Sequence, residues 1–426
     1  MRLLIFSLFL FSAIIIDAQD TVKVMQYNLL NYGNTTSYCT TTNNNINDKN
    51  SYIREIIGYI LPDILTVEEI YGTNTVVDNL LNNALNQDGR TYYQQAIVTN
   101  YSGSDLCNML YFDARKFTLS WQYAISTSLR DINLYTLYYN SPDLATLHDT
   151  VFLNVIIMHL KAGSYSSDAQ TRADMTNALM NYLDVENMTG NNIATGDFNV
   201  YSSSEAAFQN LINYSNAAIR FYDPVNQLGQ WHNSSSFADY HTQSTHSDND
   251  DCHASGGLDD RFDFILISNE VKNDLFKVKY VPGSYKTIAQ DGNHFNKGLL
   301  DSPTNYGVPS TVLSALYANS DHLPVTLKLR INQSPALGIE QVKNIFDFSV
   351  TNPVSEKIHM TFGDHGSSLH IQLYSILGKL ILKDRVNPYE TKKEIAVNHL
   401  PDGIYFLKVS DSKQVIMKKI IIEHTY

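Results

Sequence analysis

The sequence is poor in cysteine. Its 426 residues include only Cys39, Cys107 and Cys252, and no two of them form a Cys-x-x-Cys pair. Three cysteines allow at most one intramolecular disulfide, and the sequence does not say which two would pair. Without paired cysteine spacing, a structural zinc site is not expected.

The chain also lacks an excess of positive charge. It has 30 Lys and Arg against 43 Asp and Glu, which gives a formal net charge of −13. This balance argues against a protein coated with basic patches for nucleic acid. It still allows an enzyme that meets phosphate through a divalent cation and a few local cationic groups.

Long hydrophobic runs are absent except at the N-terminus. Residues 1–18 combine Arg2, an apolar run over residues 3–16 and the small residue Ala18, a pattern typical of a secretory signal peptide. The run is shorter than the roughly 20 residues that span a bilayer, which disfavours a membrane anchor. The mature chain is expected to be exported and to lack a transmembrane segment. We also expect a monomer.

The rest of the composition is that of a globular protein, with 43 % hydrophobic and 17 % charged residues. The length predicts two or three domains. Strand and helix patterns are interspersed over residues 20–332, which predicts sheets covered by helices. Residues 333–340 are interpreted as a linker. Residues 341–426 contain short strands separated by turns, typical of a small all-β sandwich.

Two polar stretches of the larger domain are predicted to be loops. Residues 31–50 are rich in Asn and Thr and show no periodicity, and an amphipathic helix from Tyr52 ends before Pro62. Residues 232–260 are rich in His and Asp, and their histidines are interpreted as surface or satisfied core residues. The acidic end of this loop, residues 248–260, would either bind Ca²⁺ or be a solvated charge run.

Polar residues recur where predicted strands of the larger domain end. In the stretch Gly-Asp-Phe-Asn at 196–199, the two polar residues are expected to share one face of a strand, and Gly196 permits an unusual backbone angle. Glu68 is rejected as a candidate ligand, since it should point to the opposite face of the strand from its neighbour Glu69. The set of strand-end residues is Asn28, Glu69, His159, Asp197, Asn199, Asp263, Asp321 and His322.

These residue types suit the hydrolysis of phosphate esters. A hard cation such as Mg²⁺ takes carboxylate oxygens and keeps several waters. Imidazoles move the proton of the attacking water or the leaving group. Taken singly, each residue has an ordinary alternative as a turn residue or a satisfied side chain. Their order along the chain is what favours a catalytic site.

In this order the motifs resemble those of the endonuclease/exonuclease/phosphatase superfamily. This superfamily includes deoxyribonuclease-I-like nucleases, exonuclease-III-like enzymes, sphingomyelinases and inositol polyphosphate phosphatases. The resemblance covers residues 21–330 and includes Gly-Asp-Phe-Asn and the Ser-Asp-His-Leu-Pro stretch at 320–324. It implies a four-layer α/β sandwich, in which two packed β-sheets are flanked by helices, with a metal site at one end.

The resemblance also implies roles for the first residues of the set. Glu69 would be the main ligand of Mg²⁺, or of Mn²⁺ or Ca²⁺, with Asn28 and Asp321 in or near the coordination shell. Asp197 and Asn199 would position the phosphate and the attacking water.

Two histidines complete the implied site. Asp263 would hold His322, and the carboxylate would favour the charged imidazole. His159 would stabilise the charge on phosphorus or protonate the leaving oxygen, and which histidine is the acid stays open. Arg130, which lies between two motifs, is a candidate phosphate contact by position alone.

The C-terminal part has a resemblance of its own. Residues 351–354, 373–379 and 400–405, with the basic and apolar ending at 418–422, resemble the C-terminal sorting domain of type IX secretion cargo. The type IX machinery is thus an expected partner, with export through the periplasm to the cell surface or the medium. The alternative is a generic adhesive or carbohydrate-binding module.

The expected function is that of a secreted metal-dependent phosphodiesterase. A nuclease would hydrolyse DNA or RNA by in-line attack of an activated water on phosphorus. The alternatives are a sphingomyelinase-like phospholipid hydrolase or inositol-phosphate hydrolase on the same fold, and a catalytically silent surface binding module. No apolar membrane-insertion hairpin is found in the sequence, which favours the nuclease.

Overall fold

A computed structural model describes residues 19–141, 144, 150–249, 252–332, 347–363, 365–376, 378–411 and 415–424. The predicted signal peptide, residues 1–18, and the predicted linker, residues 333–340, lie outside the described residues.

The part between residues 19 and 332 is built on two mixed sheets. The first has the order β11-β13-β1-β2-β4-β3, with β12 also paired to β13, and the second has the order β5-β6-β7-β8-β10-β9. The described strands are β1 (Gln19–Tyr32), β2 (Ile64–Tyr71), β3 (Tyr93–Gln95), β4 (Leu106–Asp113), β5 (Phe117–Ile125), β6 (Ile132–Tyr139), β7 (Phe152–His159), β8 (Asn192–Asp197), β9 (Phe221–Tyr222), β10 (Asp263–Ser268), β11 (Val278–Tyr280), β12 (Lys286–Thr287) and β13 (Val325–Asn332).

Helices flank both sheets. The described α-helices are α1 (Ile46–Ile60), α2 (Asn74–Leu80), α3 (Ser166–Val185), α4 (Ala206–Ile212), α5 (Asn269–Asn273) and α6 (Ser310–Asn319). A π-helical turn, Leu81–Leu85, continues α2, and 3₁₀ turns occupy Ala217–Ile219 and Ser235–Tyr240.

Helix α1 corrects one sequence prediction. It begins at Ile46, where the Asn45 side chain accepts a hydrogen bond from Asn47 N–H, and β1 ends at Tyr32, so the loop predicted over residues 31–50 covers only residues 33–45. Its end is as predicted, because Leu61 adopts a left-handed conformation just before Pro62.

The hydrophobic core explains the layering. In β7, Ile157 belongs to the core between the two sheets, whereas its neighbour Ile156 packs in a second core with Leu179 of α3 and Phe208 of α4. A strand buried on both faces carries a continuous apolar run, as residues 150–158 do. The predicted four-layer arrangement of two packed sheets flanked by helices is confirmed.

The strand pairing brings the sequence motifs to one edge of the two sheets. Strands β1 and β2 are parallel, with Asn28 opposite Glu68, and β7 and β8 are parallel, with His159 opposite Asp197. Strand β10 is antiparallel to β8, so its first residue, Asp263, pairs with Asp197. Parallel strands end, and antiparallel strands begin, at the same edge.

The C-terminal part consists of two antiparallel sheets, β14-β15-β18 and β17-β16-β19-β20, around a separate core. The predicted all-β sandwich is confirmed. Its described strands are β14 (Phe348–Val350), β15 (Lys357–Phe362), β16 (Leu369–Ser375), β17 (Leu380–Val386), β18 (Lys392–Ala396), β19 (Gly403–Ser410) and β20 (Val415–Ile422).

The outer face of the four-stranded sheet packs on the larger part. Tyr374 of β16 meets Trp121 of β5 edge to face, with ring centroids 5.6 Å apart. Glu186, just after α3, accepts hydrogen bonds from Gln372 and from Lys383, whose Nζ lies 2.6 Å from Oε1. The two parts are therefore joined by aromatic and charged contacts.

One disulfide joins Cys39 to Cys252, and Cys107 is buried as a free thiol in β4. The bond connects the loop after β1 with the loop before β10. It thus settles the pairing that the sequence left open.

Candidate active site

Glu69 lies at an irregularity near the end of β2. The pairing register of β2 breaks between Val67 and Ile70, and Glu69 has a left-handed φ of 57°. Its carboxylate accepts hydrogen bonds from Asn28 Nδ2 at 3.1 Å and from Asn31 N–H at 3.0 Å. A left-handed residue that is not glycine is uncommon, and here neighbouring groups hold it in place.

The same irregularity overturns the expected separation of Glu68 from Glu69. Glu68 is fully buried and accepts a hydrogen bond from Gln26 Nε2, which also donates to Asp263 Oδ1. Burial, and then Asp263, raise the pKa of Glu68 well above its usual value. The alternation rule fails because the left-handed residue interrupts it, so Glu68 lies behind the site and not on the far face.

The second sheet contributes His159 and Asp197. His159 Nε2 lies 3.5 Å from Asp197 Oδ2 and 3.9 Å from Glu69 Oε1, and Asn28 Nδ2 donates to Asp197 at 3.1 Å. The predicted role of Gly196 is confirmed, because its φ is 137° and a Cβ atom there would lie 1.9 Å from the Met158 carbonyl oxygen.

Asn199 does not share a strand face with Asp197 as predicted. Strand β8 ends at Asp197, and Asn199 has a left-handed φ of 51°. Its backbone N–H donates to Asp197 Oδ1 at 3.0 Å, and its side chain donates to Leu160 O at 3.3 Å. Asn199 therefore fixes the loops after β8 and β7 around Asp197.

His322 and Asp263 form a buried pair, with Nδ1 and Oδ2 2.7 Å apart. Burial alone would lower the pKa of His322, but Asp263 and then Asp197 outweigh it and raise the pKa well above the usual value. The other ring nitrogen lies 3.7 Å from Asp197 Oδ2. This histidine is thus predisposed to carry a positive charge.

His159 has the opposite character. Burial lowers its pKa well below the usual value, and the positive charges of Arg130 and His322 add to the effect. Its Nδ1 is buried and has no hydrogen-bond partner among the described residues. The surroundings therefore shift the pKa values of the two histidines in opposite directions, which the sequence could not distinguish.

Arg130 is directed toward this group of residues. Its guanidinium interacts electrostatically with Glu69 and Asp197, while burial lowers its pKa. Its Nε and Nη1 atoms are buried and find no hydrogen-bond partner in the described part of the chain. A buried guanidinium with unused donors is suited to an anion.

Asp321 is held beside His322 by the loop before β10. Its Oδ2 accepts hydrogen bonds from Gln243 Nε2 at 3.1 Å and Ala254 N–H at 3.0 Å, and the Gln243 amide also lies 2.8 Å from His322 Nε2. Asp321 Oδ1 is buried and without a partner among the described residues.

Ligand atoms of Glu69, His159 and Asp197 all lie within 4.8 Å of one another, a group that could hold a metal ion. Two of these three residues offer carboxylate oxygens. These residues therefore fit a hard divalent cation.

Sequence reasoning missed several supporting residues. Lys49 of α1 is buried and donates to the carbonyl oxygens of Leu30 in β1 and of Asn319 at the end of α6, which joins these two elements. Gln243 lies in a stretch predicted to be a loop, and the neighbouring Thr242 is fully buried. Lys49 lies in a stretch predicted to be a loop without periodicity, and nothing in the local sequence indicated either residue.

The histidine-rich loop also contains a second group of possible ligands, His232, Asp259 and Asp260. His232 Nδ1 lies 2.9 Å from Asp260 Oδ1, and burial, with Asp259, raises the pKa of Asp260 to about 7. His241 is a satisfied core histidine, as predicted, since both ring nitrogens contact backbone carbonyls.

Comparison with known proteins gives two kinds of match. Residues 351–423 match the family of secretion system C-terminal sorting domains, which indicates export by a type IX system to the cell surface or outside. No curated protein matches the chain. No helix in the described ranges has the length and apolar character needed to cross a membrane.

Several solved structures are similar to the larger part. The human Nocturnin catalytic domain, with bound sulfate, is 16 % identical and covers 73 % of this chain and 97 % of its own, with a TM-score of 0.43. The endonuclease/exonuclease/phosphatase from Bacteroides vulgatus is 13 % identical and covers 73 % and 98 %, with a TM-score of 0.43. TDP2 from Danio rerio, in complex with a single-strand DNA product, is 11 % identical and covers 72 % and 98 %, with a TM-score of 0.43. The match over residues 351–423 agrees with the resemblance predicted for the C-terminal part.

Proposed function

We propose that this chain is a secreted, divalent-metal-dependent phosphodiesterase that hydrolyses nucleic acid. The observation that carries the proposal is the meeting of Glu69, His159, Asp197 and the Asp263–His322 pair where strands of both sheets end. A carboxylate site for a cation, a neutral imidazole and a charged imidazole within one small space are the groups that phosphoryl hydrolysis uses.

Glu69 would be the main ligand of the cation, which we assign as Mg²⁺, with Asn28 and Asp321 in or near its shell. The cation, when bound, would neutralise charge that develops on the phosphate oxygens. Asn31 N–H and Asn28 hold the Glu69 carboxylate in a fixed orientation before any ligand arrives. Such preorganisation lowers the cost of assembling the site.

Arg130 would bind the substrate phosphate. Its two buried, unused N–H donors need an anionic partner, and the carboxylates close to it cannot supply one while they hold a cation. Leaving buried donors unpaired costs roughly 1–3 kcal/mol each, which binding of a phosphate would recover.

The proton steps divide between the two histidines and Asp197. Charged His322, held by Asp263, would stabilise a phosphate oxygen or protonate the leaving oxygen, whereas neutral His159 would contact the phosphate on the other side of Asp197. Asp197 lies within 3.7 Å of both imidazoles and, with Asn199 holding its loop, would orient the attacking water.

Nucleic acid is favoured over lipid by the aromatic residues of the surrounding loops. Tyr38, Tyr101 and Tyr165 are 67 %, 70 % and 78 % exposed. Tyr38 follows β1, Tyr101 precedes β4 and Tyr165 follows β7, so all three lie at the edge of the sheets where the site is. Exposed rings next to a phosphate site can stack on bases, which contributes about 1–3 kcal/mol per base. Because the chain is acidic overall, we expect weak, salt-sensitive and sequence-tolerant binding.

The test is a substrate panel for the purified chain with and without Mg²⁺. Plasmid DNA, RNA, sphingomyelin and inositol phosphates are compared at equal phosphodiester or phosphate concentration. We expect Mg²⁺-dependent cleavage of nucleic acid, and a several-fold rise in KM for Tyr38→Ala and Tyr165→Ala with kcat little changed. Tyr389→Ala, a 74 % exposed tyrosine of the C-terminal part, is the matched control. Exclusive hydrolysis of sphingomyelin or inositol phosphates would contradict the nuclease assignment.

A further inference from the structure

A cavity of about 380 Å³ lies between the larger part and the C-terminal sandwich, away from the candidate active site. Its walls come from both, because Phe152 of β7 and the loops at Met188 and Phe276 face Met417 of β20 and Lys408 of β19. Eight of the sixteen lining residues are apolar, and the polar ones include two lysines, Lys277 and Lys408. The volume is within the range of small-molecule sites and equals that of roughly a dozen water-sized groups.

Lys408 places a charge in this cavity. The residue is 6 % exposed, and its ammonium has no hydrogen-bond or ion-pair partner among the described residues. Its neighbour Leu407 belongs to the core of the sandwich, so strand alternation directs Lys408 to the opposite face, toward the larger part. A buried lysine without an anionic partner is costly, which makes it an unusual lining for a cavity.

The nearest carboxylate does not satisfy Lys408. Glu186 attracts it electrostatically, but Glu186 is already bound by Lys383, at 2.6 Å, and by Gln372. Glu186 is therefore paired with the ammonium group of Lys383, and within the described ranges the Lys408 ammonium has no carboxylate in contact with it. This end of the cavity keeps an excess of positive charge, and burial lowers the pKa of Lys408 to about 8.

We propose that this cavity is a binding site for a small amphiphile with one anionic head group and an aliphatic chain, such as a medium-chain fatty acid. The head group would pair with Lys408, and the chain would lie against Trp121, Phe152 and Met417. An acid of about ten carbons has about the dozen non-hydrogen atoms that the volume accommodates. This site goes beyond the proposed hydrolysis and does not depend on it.

Occupancy would favour the docked arrangement of the sandwich. The ligand contacts both parts of the chain, so it binds the docked state better than any state in which the parts separate. A ligand that binds only one state stabilises that state by mass action. Saturating decanoate should therefore raise the midpoint of thermal unfolding.

The experiment titrates the full chain with decanoate, decanol and decyltrimethylammonium below their micellar concentrations. Calorimetry measures binding, and Trp121, which lines the cavity, provides a fluorescence signal that Trp121→Phe should remove without removing the heat of binding. We expect saturable one-to-one binding of decanoate, and at least tenfold weaker binding of decanol and of the cationic analogue.

Two variants separate the charge from the cavity. Lys408→Met should weaken decanoate binding at least tenfold and leave decanol unchanged, while Lys392→Met, an exposed lysine on β18, should change neither. Met417→Trp should fill the cavity and abolish binding of both ligands. Circular dichroism and hydrolytic activity report whether each variant folds. The proposal is overturned if decanoate does not bind saturably, if decanol binds as tightly, or if Lys408→Met retains full decanoate affinity.

Discussion

At the scale of single residues, the two histidines are set apart by their surroundings. His322 faces two carboxylates, Asp263 and Asp197, whereas His159 is buried close to the positive charges of Arg130 and His322. The same side chain is thus favoured as a cation at one position and as a neutral group at the other. A pair of groups whose pKa values are pushed apart is what acid and base assignments require.

The pH dependence of turnover should report the Asp263–His322 pair. Because the folded-state pKa of His322 is raised, its charged form persists above the usual value of about 6.5, and activity should fall as pH rises through the folded pKa. Asp263→Asn removes the largest cause that raises this pKa, so the alkaline fall should move to lower pH. Profiles of kcat/KM against pH for both proteins measure this shift. An unmoved alkaline limb would show that His322 does not set it.

At the scale of elements, the site depends on the residues that fix the start of β10. Arg261, two residues before Asp263, is fully buried and forms two 2.9 Å contacts with the carboxylate of Asp223. Aromatic rings, including Phe264 and Trp231, surround its guanidinium. This pair anchors the strand whose first residue holds His322.

Breaking this ion pair should be costly. Arg261→Met would leave Asp223 as a buried, uncompensated charge, a change that typically costs about 3–5 kcal/mol of folding free energy. Arg54→Met is the control, since Arg54 pairs with Asp88 at the surface, where such a pair contributes about 1 kcal/mol or less. Urea unfolding of both variants gives the comparison. Equal losses in the two would contradict the anchoring role of Arg261.

The strands also show which features of the fold and the site can be predicted from sequence patterns. The strand ends that carry Glu69, His159 and Asp197 were predictable, because apolar runs stop there and polar residues follow. Strand β18 was missed, since among Lys392–Ala396 only Ile395 is buried and charged residues occupy the other face. The prediction that Glu68 points to the opposite face from Glu69 is wrong, because no local sequence pattern indicates a left-handed backbone conformation at Glu69. Gln243 reaches the site only through long-range contacts, which sequence spacing does not encode.

At the scale of the whole molecule, the disulfide fastens two loops beside the site. Cys39 follows β1, which carries Asn28, and Cys252 is two residues before Ala254, whose N–H holds Asp321. The cross-link closes a segment of 213 residues. Constraining so long a loop in the unfolded chain stabilises the folded state by a few kcal/mol in the chain-entropy description.

Reduction should therefore weaken the fold and loosen the site. We expect a loss of roughly 2–5 kcal/mol in the free energy of unfolding when reductant is added to the unmodified chain. The double variant Cys39→Ser with Cys252→Ser should start from the lower stability and not respond to reductant, whereas Cys107→Ala should still respond. Urea titrations with and without reductant measure the difference. A response of the double variant equal to that of the unmodified chain would argue against the pairing.

The proposed hydrolysis and the sorting-domain match belong to different parts of the chain. The candidate active-site residues all lie between residues 28 and 322, and the sorting-domain match covers residues 351–423. The sheets of the sandwich have their own core, so the proposed hydrolysis and the export signal lie in separately packed parts of the chain.

The central claim is that a divalent cation held at Glu69 is required for phosphodiester hydrolysis. The most direct measurement is Mn²⁺ binding, followed by electron paramagnetic resonance, together with turnover of plasmid DNA by the same samples. We expect one tight site in the unmodified chain, a loss of at least tenfold in Mn²⁺ affinity in Glu69→Gln, and a fall in turnover of about 10²-fold or more. Glu394→Gln, a change at an exposed glutamate of the sandwich, should match the unmodified chain in both. Full turnover by Glu69→Gln in the presence of a chelator would contradict the account.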